Sequence, residues 1–344
     1  LLSWPTKLRM GIELFRGAPA EPRDGDVSVA DFFRDHYTQE AVDYLAEPLL
    51  AGVYGGDPER MSATSVLGRF VNLEREYGSL SRGVLAEKRK RAANVSGNPA
   101  PGSLFRTLRK GLGTLAEQLV SAIGARHFHL GERIETLERR EGGFRLRTRA
   151  GECDAAQVIL ATPAYGAAAL LRTLDSTAAG LLDQIRYHSS ATVALRYKMS
   201  QLPRPPVGFG FLVPQRERRT MVAATYVQNK FSDRVPAGSA LFRCFVGNAS
   251  EEDTRLRDDG ALVEAVLADL RWLTGLTAEP EAVRVFRWPR AMAQYEVGHG
   301  KKIQEIRERV STLPGVHLAG NAYEGIGIPD CVRTGQLAGE ACLR

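Results

Sequence analysis

The sequence predicts a mixed α/β (α+β) protein, and three observations support this. A short apolar run at Val316–Ala319 leads through a glycine-containing turn into a segment with helical periodicity. Residues 192–247 contain several short runs of alternating apolar and polar residues, which are typical of antiparallel strands. Residues 1–86 show mainly helical periodicity. We therefore expect a strand–turn–helix unit, a separate antiparallel sheet and a helical region.

Composition limits the classes of function. The chain has 344 residues, which is enough for two or three domains, and is 44% hydrophobic and 25% charged. No apolar run approaches the roughly 20 residues that span a bilayer. The four cysteines are scattered, which argues against a disulfide framework or a zinc site and indicates a reducing cytoplasm. The net charge of +6 is modest, and aromatic residues do not alternate with basic ones, so we expect no nucleic-acid interface.

The first third of the chain predicts helices. Val29–Phe33 follows a turn and begins an amphipathic helix, and Ala41–Leu50 predicts a second helix that the glycine-rich stretch Ala51–Pro58 interrupts. A charged run, Glu87–Arg91, precedes a loop-like segment from Asn94 to Gly102. Ser103–Ile123 then predicts one or two helices with an apolar stripe.

The middle of the chain predicts strands. A run at His127–Leu130 and a hairpin around Gly142 and Gly143 precede a buried strand within Ala155–Ala164. His127 and His129 share one strand face, but no third ligand accompanies them, so we interpret them as structural and predict no metal site. The second compositional unit, residues 167–286, combines antiparallel strands with one amphipathic helix, and Ile303, Ile306 and Val310 mark a later helix.

The C-terminal turn has the features of a ligand site. Gly320, Gly325 and Gly327 lie between the apolar run and Pro329, which suits the first turn of a helix because proline has no N–H to lose there. Unpaired amides and the positive end of the helix dipole would then face a ligand. Such a turn favours an electron-rich ligand atom close to the backbone. By spacing alone, an ordinary glycine-rich turn before a helix explains the pattern equally well.

The stretch Leu318–Cys331 resembles the C-terminal flavin motif of the porphyrinogen oxidases, within the amine-oxidase-like flavoproteins. Residues 47–62 and 287–299 resemble further blocks of that family, although Ala293 replaces its usual proline. The resemblance implies a FAD-binding Rossmann-like domain (103–166 and 287–344), an antiparallel substrate-binding domain (167–286) and a helical domain (1–102) of the kind that can lie against a membrane. It implies cofactor contacts at Ile134, Trp288, Gly320, Gly325, Ile326, Gly327, Ile328 and Asp330. We further expect Phe209, Phe211 and Tyr323 to line the substrate cavity, and we assign no catalytic side chain.

The same resemblance implies an activity. We expect the chain to bind FAD and to oxidise protoporphyrinogen IX or coproporphyrinogen III with dioxygen, in the cytoplasm. The resemblance also allows a homodimer and a peripheral contact with the inner face of the membrane. Relatives begin with a G-x-G-x-x-G turn that this sequence lacks, so we expect the first strand, the first helix and much of the ADP cradle to lie outside it.

Two other hypotheses compete with the porphyrinogen oxidase hypothesis. A different amine-oxidase-like flavoprotein, such as an amine oxidase or a carotene desaturase, would share the flavin turn but not the blocks at 47–58 and 325–331. A remnant without FAD, acting as a binding module, would lack the dinucleotide-binding glycines as this chain does.

Overall fold

The computed structural model describes residues 1–17, 25–93, 107–231, 233–247 and 258–343. Within these ranges helices cover the N-terminal region and flank the sheets. The helices are α1 (Trp4–Glu13), α2 (Val29–His36), α3 (Gln39–Ala41, continued by a π-helical turn Val42–Ala46 and by Glu47–Tyr54), α4 (Ala63–Tyr77), α5 (Leu80–Ala93), α6 (Gly113–Ile123), α7 (Ala164–Leu171), α8 (Ser176–Asp183), α9 (Val227–Lys230), α10 (Asp259–Thr274), α11 (His299–Ser311) and α12 (Ile328–Ala341).

Ten strands form three sheets in the described residues. They are β1 (Thr136–Arg140), β2 (Gly143–Arg147), β3 (Glu152–Ala155), β4 (Val158–Leu160), β5 (Tyr187–Lys198), β6 (Gly210–Leu212), β7 (Met221–Tyr226), β8 (Ser239–Val246), β9 (Ala282–Ala293) and β10 (Val316–Leu318). The strand orders are β1-β2-β3, β10-β4 and β6-β7-β8-β5-β9. This mixture of helices with parallel and antiparallel strands confirms the predicted fold class.

Local capping explains why the N-terminal helices begin and end where they do. The hydroxyl oxygen of Ser28 accepts a hydrogen bond from the Asp31 amide at 3.0 Å, and Ser62 accepts one from the Ser65 amide at 2.9 Å. Gly55 ends α3 in the left-handed region, at φ 58°. The helices predicted at Val29–Phe33 and Ala41–Leu50 are therefore confirmed, and they pack around the fully buried Phe32 and Met61.

The two parallel strands lie in a second core. Val316 pairs with Val158 and Leu318 with Leu160 in parallel register. Leu171, Leu182 and Ile306, which lie on α7, α8 and α11, are fully buried in this core. The carboxyl ends of both strands consequently meet at one edge of the pair, where ligands commonly bind in α/β proteins.

The antiparallel sheet has its own core. Val193 and Leu195 on β5 pack with Leu262, Val266 and Leu270, the buried stripe of α10. The side chains of β5 and β8 alternate between this core and the other face, as the sequence predicts for residues 192–247. Strand β9 pairs with β5 along most of its length. From β9 the chain continues through α11 to β10 of the parallel pair.

Two sequence predictions need correction. Residues 127–130 form no strand: Ala125–His127 is a single 3-10 turn, and Leu130 is 88% exposed. Alternation alone predicted this strand, and no partner strand pairs with it in the described residues. The helix predicted within Ser103–Ile123 exists as α6, but its apolar stripe is exposed, with Leu119 and Ile123 more than half accessible. Periodicity specifies a face but does not supply the surface that covers it.

Several expectations fall at the limits of the described residues. The charged run Glu87–Arg91 belongs to α5, whereas the loop predicted at Asn94–Gly102 lies outside the described ranges. The boundary placed between residues 102 and 103 also lies outside them, so the four-part domain division stays a prediction. Among the helices that the structure describes, none has the length and hydropathy needed to cross a membrane.

Candidate functional site

The glycine turn connects β10 to α12. Gly320 and Gly325 have φ angles of 117° and 112°, which residues with a Cβ rarely adopt. Gly327 is the N-cap of α12, and Pro329 lies in the first helical turn as the sequence predicts. The amides of this turn have no acceptor within the helix, and the positive end of the helix dipole lies at the same point.

Asp330 packs directly against the glycines. A Cβ on Gly325 would lie 2.8 Å from Cβ of Asp330 and would clash with its carboxyl group, and a Cβ on Gly327 would lie 3.1 Å from the same carboxylate. The carboxylate of Asp330 also lies 3.7 Å from the Arg333 guanidinium. The structure therefore brings together three of the predicted cofactor residues, and it explains why two of them are glycine.

Two buried side chains that the sequence analysis missed hold the turn from inside. The Tyr295 hydroxyl accepts a hydrogen bond from the Gly325 amide and donates one to the Asn321 carbonyl, both at 2.8 Å. The Tyr295 ring stacks on His299 at 4.0 Å between centroids, and Nε2 of His299 lies 3.2 Å from the Tyr323 carbonyl. These contacts fix the backbone from Gly320 to Gly325. Their position in the block 287–299 that resembles the flavoproteins was the only available signal.

Burial sets the protonation of both side chains. Burial raises the pKa of Tyr295, so its hydroxyl stays protonated and can donate to Asn321. Burial also lowers the pKa of His299 to about 4, so its imidazole is neutral at pH 7. Because the Tyr323 carbonyl can only accept, Nε2 of His299 donates the hydrogen bond between them.

A cavity of about 640 Å³ opens beside this turn. Gly325, Asp330, Tyr295, His299 and Tyr323 line it, together with Tyr54 from α3. The Tyr323 hydroxyl is buried and has no hydrogen-bond partner in the described part of the chain. This hydroxyl has almost no accessible surface, so Tyr323 contributes its apolar part to the cavity while its hydroxyl faces the packed interior.

A second cavity, of about 570 Å³, lies along β4. Ile134, which the resemblance places near the adenine, lines it with Leu160, Thr162 and Tyr165. Thr162 follows β4 and Gly320 follows β10, so both loops leave the carboxyl edge of the parallel pair. A Cβ on Gly320 would lie 3.8 Å from the Ala161 carbonyl oxygen, which shows how close the two loops come.

The remaining predicted residues lie at separate places. Ile326 is half-buried against the core, whereas Ile328 is exposed at the start of α12. Trp288 lies on β9 and is half-exposed. Phe209 is 67% exposed, and Phe211 packs edge-on against Tyr226 at 6.1 Å.

Phe211 lines a third cavity, of about 520 Å³, along the loop Pro203–Val207. The structure therefore does not bring Phe209 and Phe211 next to Tyr323. In the described residues no group of three His, Cys, Asp or Glu side chains could hold a metal ion.

A glycine turn at a helix N-terminus, at the carboxyl edge of parallel strands and beside an aromatic cavity, defines a protein that binds a flavin or a related nucleotide. The residues present fit such a group, because Gly320 and Gly325 have positive φ angles and because Gly325 and Asp330, at the helix N-terminus, line the cavity. Comparison with known proteins agrees. The model of the flavin containing amine oxidoreductase family matches residues 1–343, and the chain belongs to this family.

Two named relatives and one solved structure show which members of the family this chain resembles. The chain is 32% identical to coproporphyrinogen III oxidase from Bacillus subtilis over 93% of this chain and 68% of that protein. It is 28% identical to the chloroplastic protoporphyrinogen oxidase of Oryza sativa over 96% of this chain and 66% of that protein. A solved structure from Exiguobacterium sp. 255-15, provisionally named a protoporphyrinogen oxidase, matches with a TM-score of 0.85 and 29% identity, over 100% of this chain and 73% of its own. The predicted flavin cofactor and oxidoreductase class are thereby confirmed.

Proposed function

We propose that this protein is an FAD-dependent porphyrinogen oxidase, which converts protoporphyrinogen IX or coproporphyrinogen III to the porphyrin in haem biosynthesis. The observation that carries the proposal is the glycine turn at the N-terminus of α12, where Gly325 and Asp330 line a cavity. The named relatives support the substrate class, because two of them are porphyrinogen oxidases that align along more than nine tenths of this chain.

The turn would hold the flavin by its electron-rich edge. Backbone amides at Ile326, Gly327 and Ile328 and the helix dipole would stabilise negative charge at that edge, while the Gly325 amide is held by the Tyr295 hydroxyl. Further contacts would come from Ile134 near the adenine and from Gly320, Trp288 and Asp330. A flavin held there would supply the redox chemistry, hydride acceptance from the substrate with dioxygen as the final electron acceptor and hydrogen peroxide as its product.

The side chains of His299 and Tyr295 hold the glycine turn in place, and we assign neither of them a proton-transfer role. The pKa of His299 is lowered to about 4, which makes its imidazole a weak base, and its Nε2–H donates to the Tyr323 carbonyl, so we assign His299 to holding the turn. Tyr295 holds the same turn through its hydroxyl. The tyrosines Tyr54, Tyr295 and Tyr323 line the wall of the cavity, beside the charged side chains of Arg307, Glu324 and Asp330.

The same proposal covers the substrates, the compartment and the membrane contact of the protein. The substrate and dioxygen meet at this site, and the protein works in the cytoplasm. A peripheral membrane contact is supported by α1, where Trp4, Leu8 and Ile12 are exposed along one face beside Lys7 and Arg9. Apolar side chains flanked by cations suit an anionic lipid surface. Sedimentation with anionic and with neutral vesicles tests this contact, and equal recovery in the supernatant in both cases would contradict it.

One assay tests the function. The purified holoprotein is mixed in air with freshly reduced coproporphyrinogen, protoporphyrinogen or cyclohexylamine, and porphyrin fluorescence and hydrogen peroxide are followed. The proposal expects fluorescence and peroxide with a porphyrinogen and neither signal with the amine. Peroxide with the amine alone would support an amine oxidase, and a colourless protein that does not take up FAD would support a binding module.

A further inference from the structure

A bulge in β9 isolates one arginine. Strand β9 pairs with β5 through Trp288 and Ser190 on one side of the bulge, and through Met292 and His188 on the other. Three residues of β9, 289–291, therefore lie opposite Ser189 alone. Bulges of this kind occur next to functional sites, where they redirect a side chain.

Arg290, at the centre of the bulge, has a φ angle of 45°. It is one of two residues other than glycine with positive φ in the described part of the chain, the other being Arg218. Left-handed backbone is unfavourable for a residue with a Cβ and persists where neighbouring contacts enforce it. Here the Ser189 hydroxyl accepts from the Arg290 amide at 2.9 Å, and the Tyr165 hydroxyl donates to the Arg290 carbonyl at 3.4 Å.

The guanidinium of Arg290 is stacked on an aromatic ring, and no carboxylate of the described residues pairs with it. Its central carbon lies 4.0 Å from the centroid of the Tyr165 ring, and that ring packs edge-on against Tyr187. Within the described ranges no carboxylate lies within ion-pair distance of Arg290, whereas nearby Arg287 pairs with Asp259. A stacked guanidinium keeps its edge N–H groups free to bind a planar anion in a bidentate manner.

This arginine lies at the carboxyl edge of the parallel strands. Tyr165, on which it stacks, lines the cavity that contains Ile134 and Thr162. Its neighbour Ala291 accepts a hydrogen bond at 3.4 Å from the side-chain amide of Asn321, in the loop after β10. Arg290 thus lies where the loops after β4 and β10 meet the antiparallel sheet.

We propose that Arg290 is an anion-binding residue, which takes a carboxylate or phosphate oxygen of the ligand bound in this crevice. The assignment rests on the proposed function, because that function supplies two sources of such oxygens: the carboxylates of the porphyrinogen and the pyrophosphate of the cofactor. The strained bulge holds the guanidinium in place before the ligand binds. Binding therefore costs less conformational entropy.

Equilibrium binding tests the assignment without relying on turnover. Dissociation constants are measured for FAD with the flavin-free protein, and for coproporphyrin and protoporphyrin with the holoprotein, by fluorescence quenching. Arg290→Gln is expected to weaken at least one of these ligands by about 10- to 100-fold, as expected for losing a charge-assisted hydrogen bond. A loss confined to the porphyrins identifies the substrate carboxylate, and a loss confined to FAD identifies the pyrophosphate.

Two variants control the experiment. Arg218→Gln removes the other exposed arginine with positive φ and is expected to leave all three constants unchanged. Arg290→Gly removes the guanidinium from a backbone that glycine adopts without strain, so it tests the side chain even if Arg290→Gln fails to fold. The affected ligand should also lose part of its salt dependence in the Arg290 variants.

Unchanged constants for all three ligands in Arg290→Gly would overturn the assignment. If the wild-type protein does not bind either porphyrin and does not oxidise a porphyrinogen, it is the proposed function that fails. The FAD titration then still decides whether Arg290 binds an anion.

Discussion

Replacing Gly325 with alanine is the sharpest perturbation of the turn. The φ angle of 112° is unfavourable for alanine, and the new Cβ would lie 2.8 Å from Cβ of Asp330 and closer to its carboxyl group. Backbone in such sparsely populated regions costs about 1–3 kcal/mol for a residue other than glycine. Moving Asp330 aside adds to this cost, so we expect Gly325→Ala to lower the free energy of unfolding by about 2–3 kcal/mol.

The consequence for flavin should be larger than the consequence for folding. The methyl group and the displaced carboxylate would enter the space beside the turn where the flavin edge would lie, so the purified variant should be colourless or take up FAD only weakly. Urea denaturation followed by circular dichroism gives the stability, and absorbance near the flavin band gives the bound cofactor.

A matched control lies in the same helix. A Cβ on Gly339, in α12, would meet nothing within 4 Å, so Gly339→Ala should stabilise the protein by about 0.5–1 kcal/mol and leave flavin binding intact. If Gly325→Ala unfolds at the same urea concentration as the wild type and retains its full flavin content, the account of the turn is wrong.

Three further outcomes follow from buried polar groups. Glu13→Ala should destabilise the protein by about 3 kcal/mol in urea denaturation, because the carboxylate accepts from Ser79 and from the Leu80 and Ser81 amides at 2.7–3.1 Å; a cost below that of an exposed Glu-to-Ala change would contradict this. Tyr323→Phe should stabilise the flavin-free protein by about 1 kcal/mol, since the hydroxyl is buried without a partner, and a loss of stability would show that it has one. His299 has a folded pKa of about 4, below its value of about 6.5 in an unfolded chain, so its neutral form contributes stability above pH 6.5 that is lost as the pH falls toward 4. That loss amounts to about 3 kcal/mol, and denaturation at several pH values should show a weaker acid dependence in His299→Gln than in the wild type.

The sequence contained most of the information for local structure. The turn from Gly320 to Gly327 was predictable because glycine and proline act on their own backbone, whatever the rest of the chain does. The helices near Val29 and Ala41 were predictable from periodicity, and serine caps and glycine ends fix their limits.

What could not be predicted depends on distant contacts. Tyr295 supports Gly325 across 30 residues, and no local pattern marks that pairing. The bulge at Arg290 arises from a register shift between two long strands, which only the pairing reveals. The stripe of α6 and the false strand at His127–Leu130 show the converse, because periodicity specified a face or a strand without the partner that either one requires.

The most direct measurement is porphyrin fluorescence in air from wild type and Gly325→Ala, each supplied with the same excess of FAD and compared at equal protein concentration. The account predicts that the wild type makes a supplied porphyrinogen fluorescent well above the rate of spontaneous oxidation, and that Gly325→Ala does not exceed that background. Equal rates from both proteins, or a wild type no faster than buffer, would contradict the claim that this glycine turn binds the flavin of a porphyrinogen oxidase.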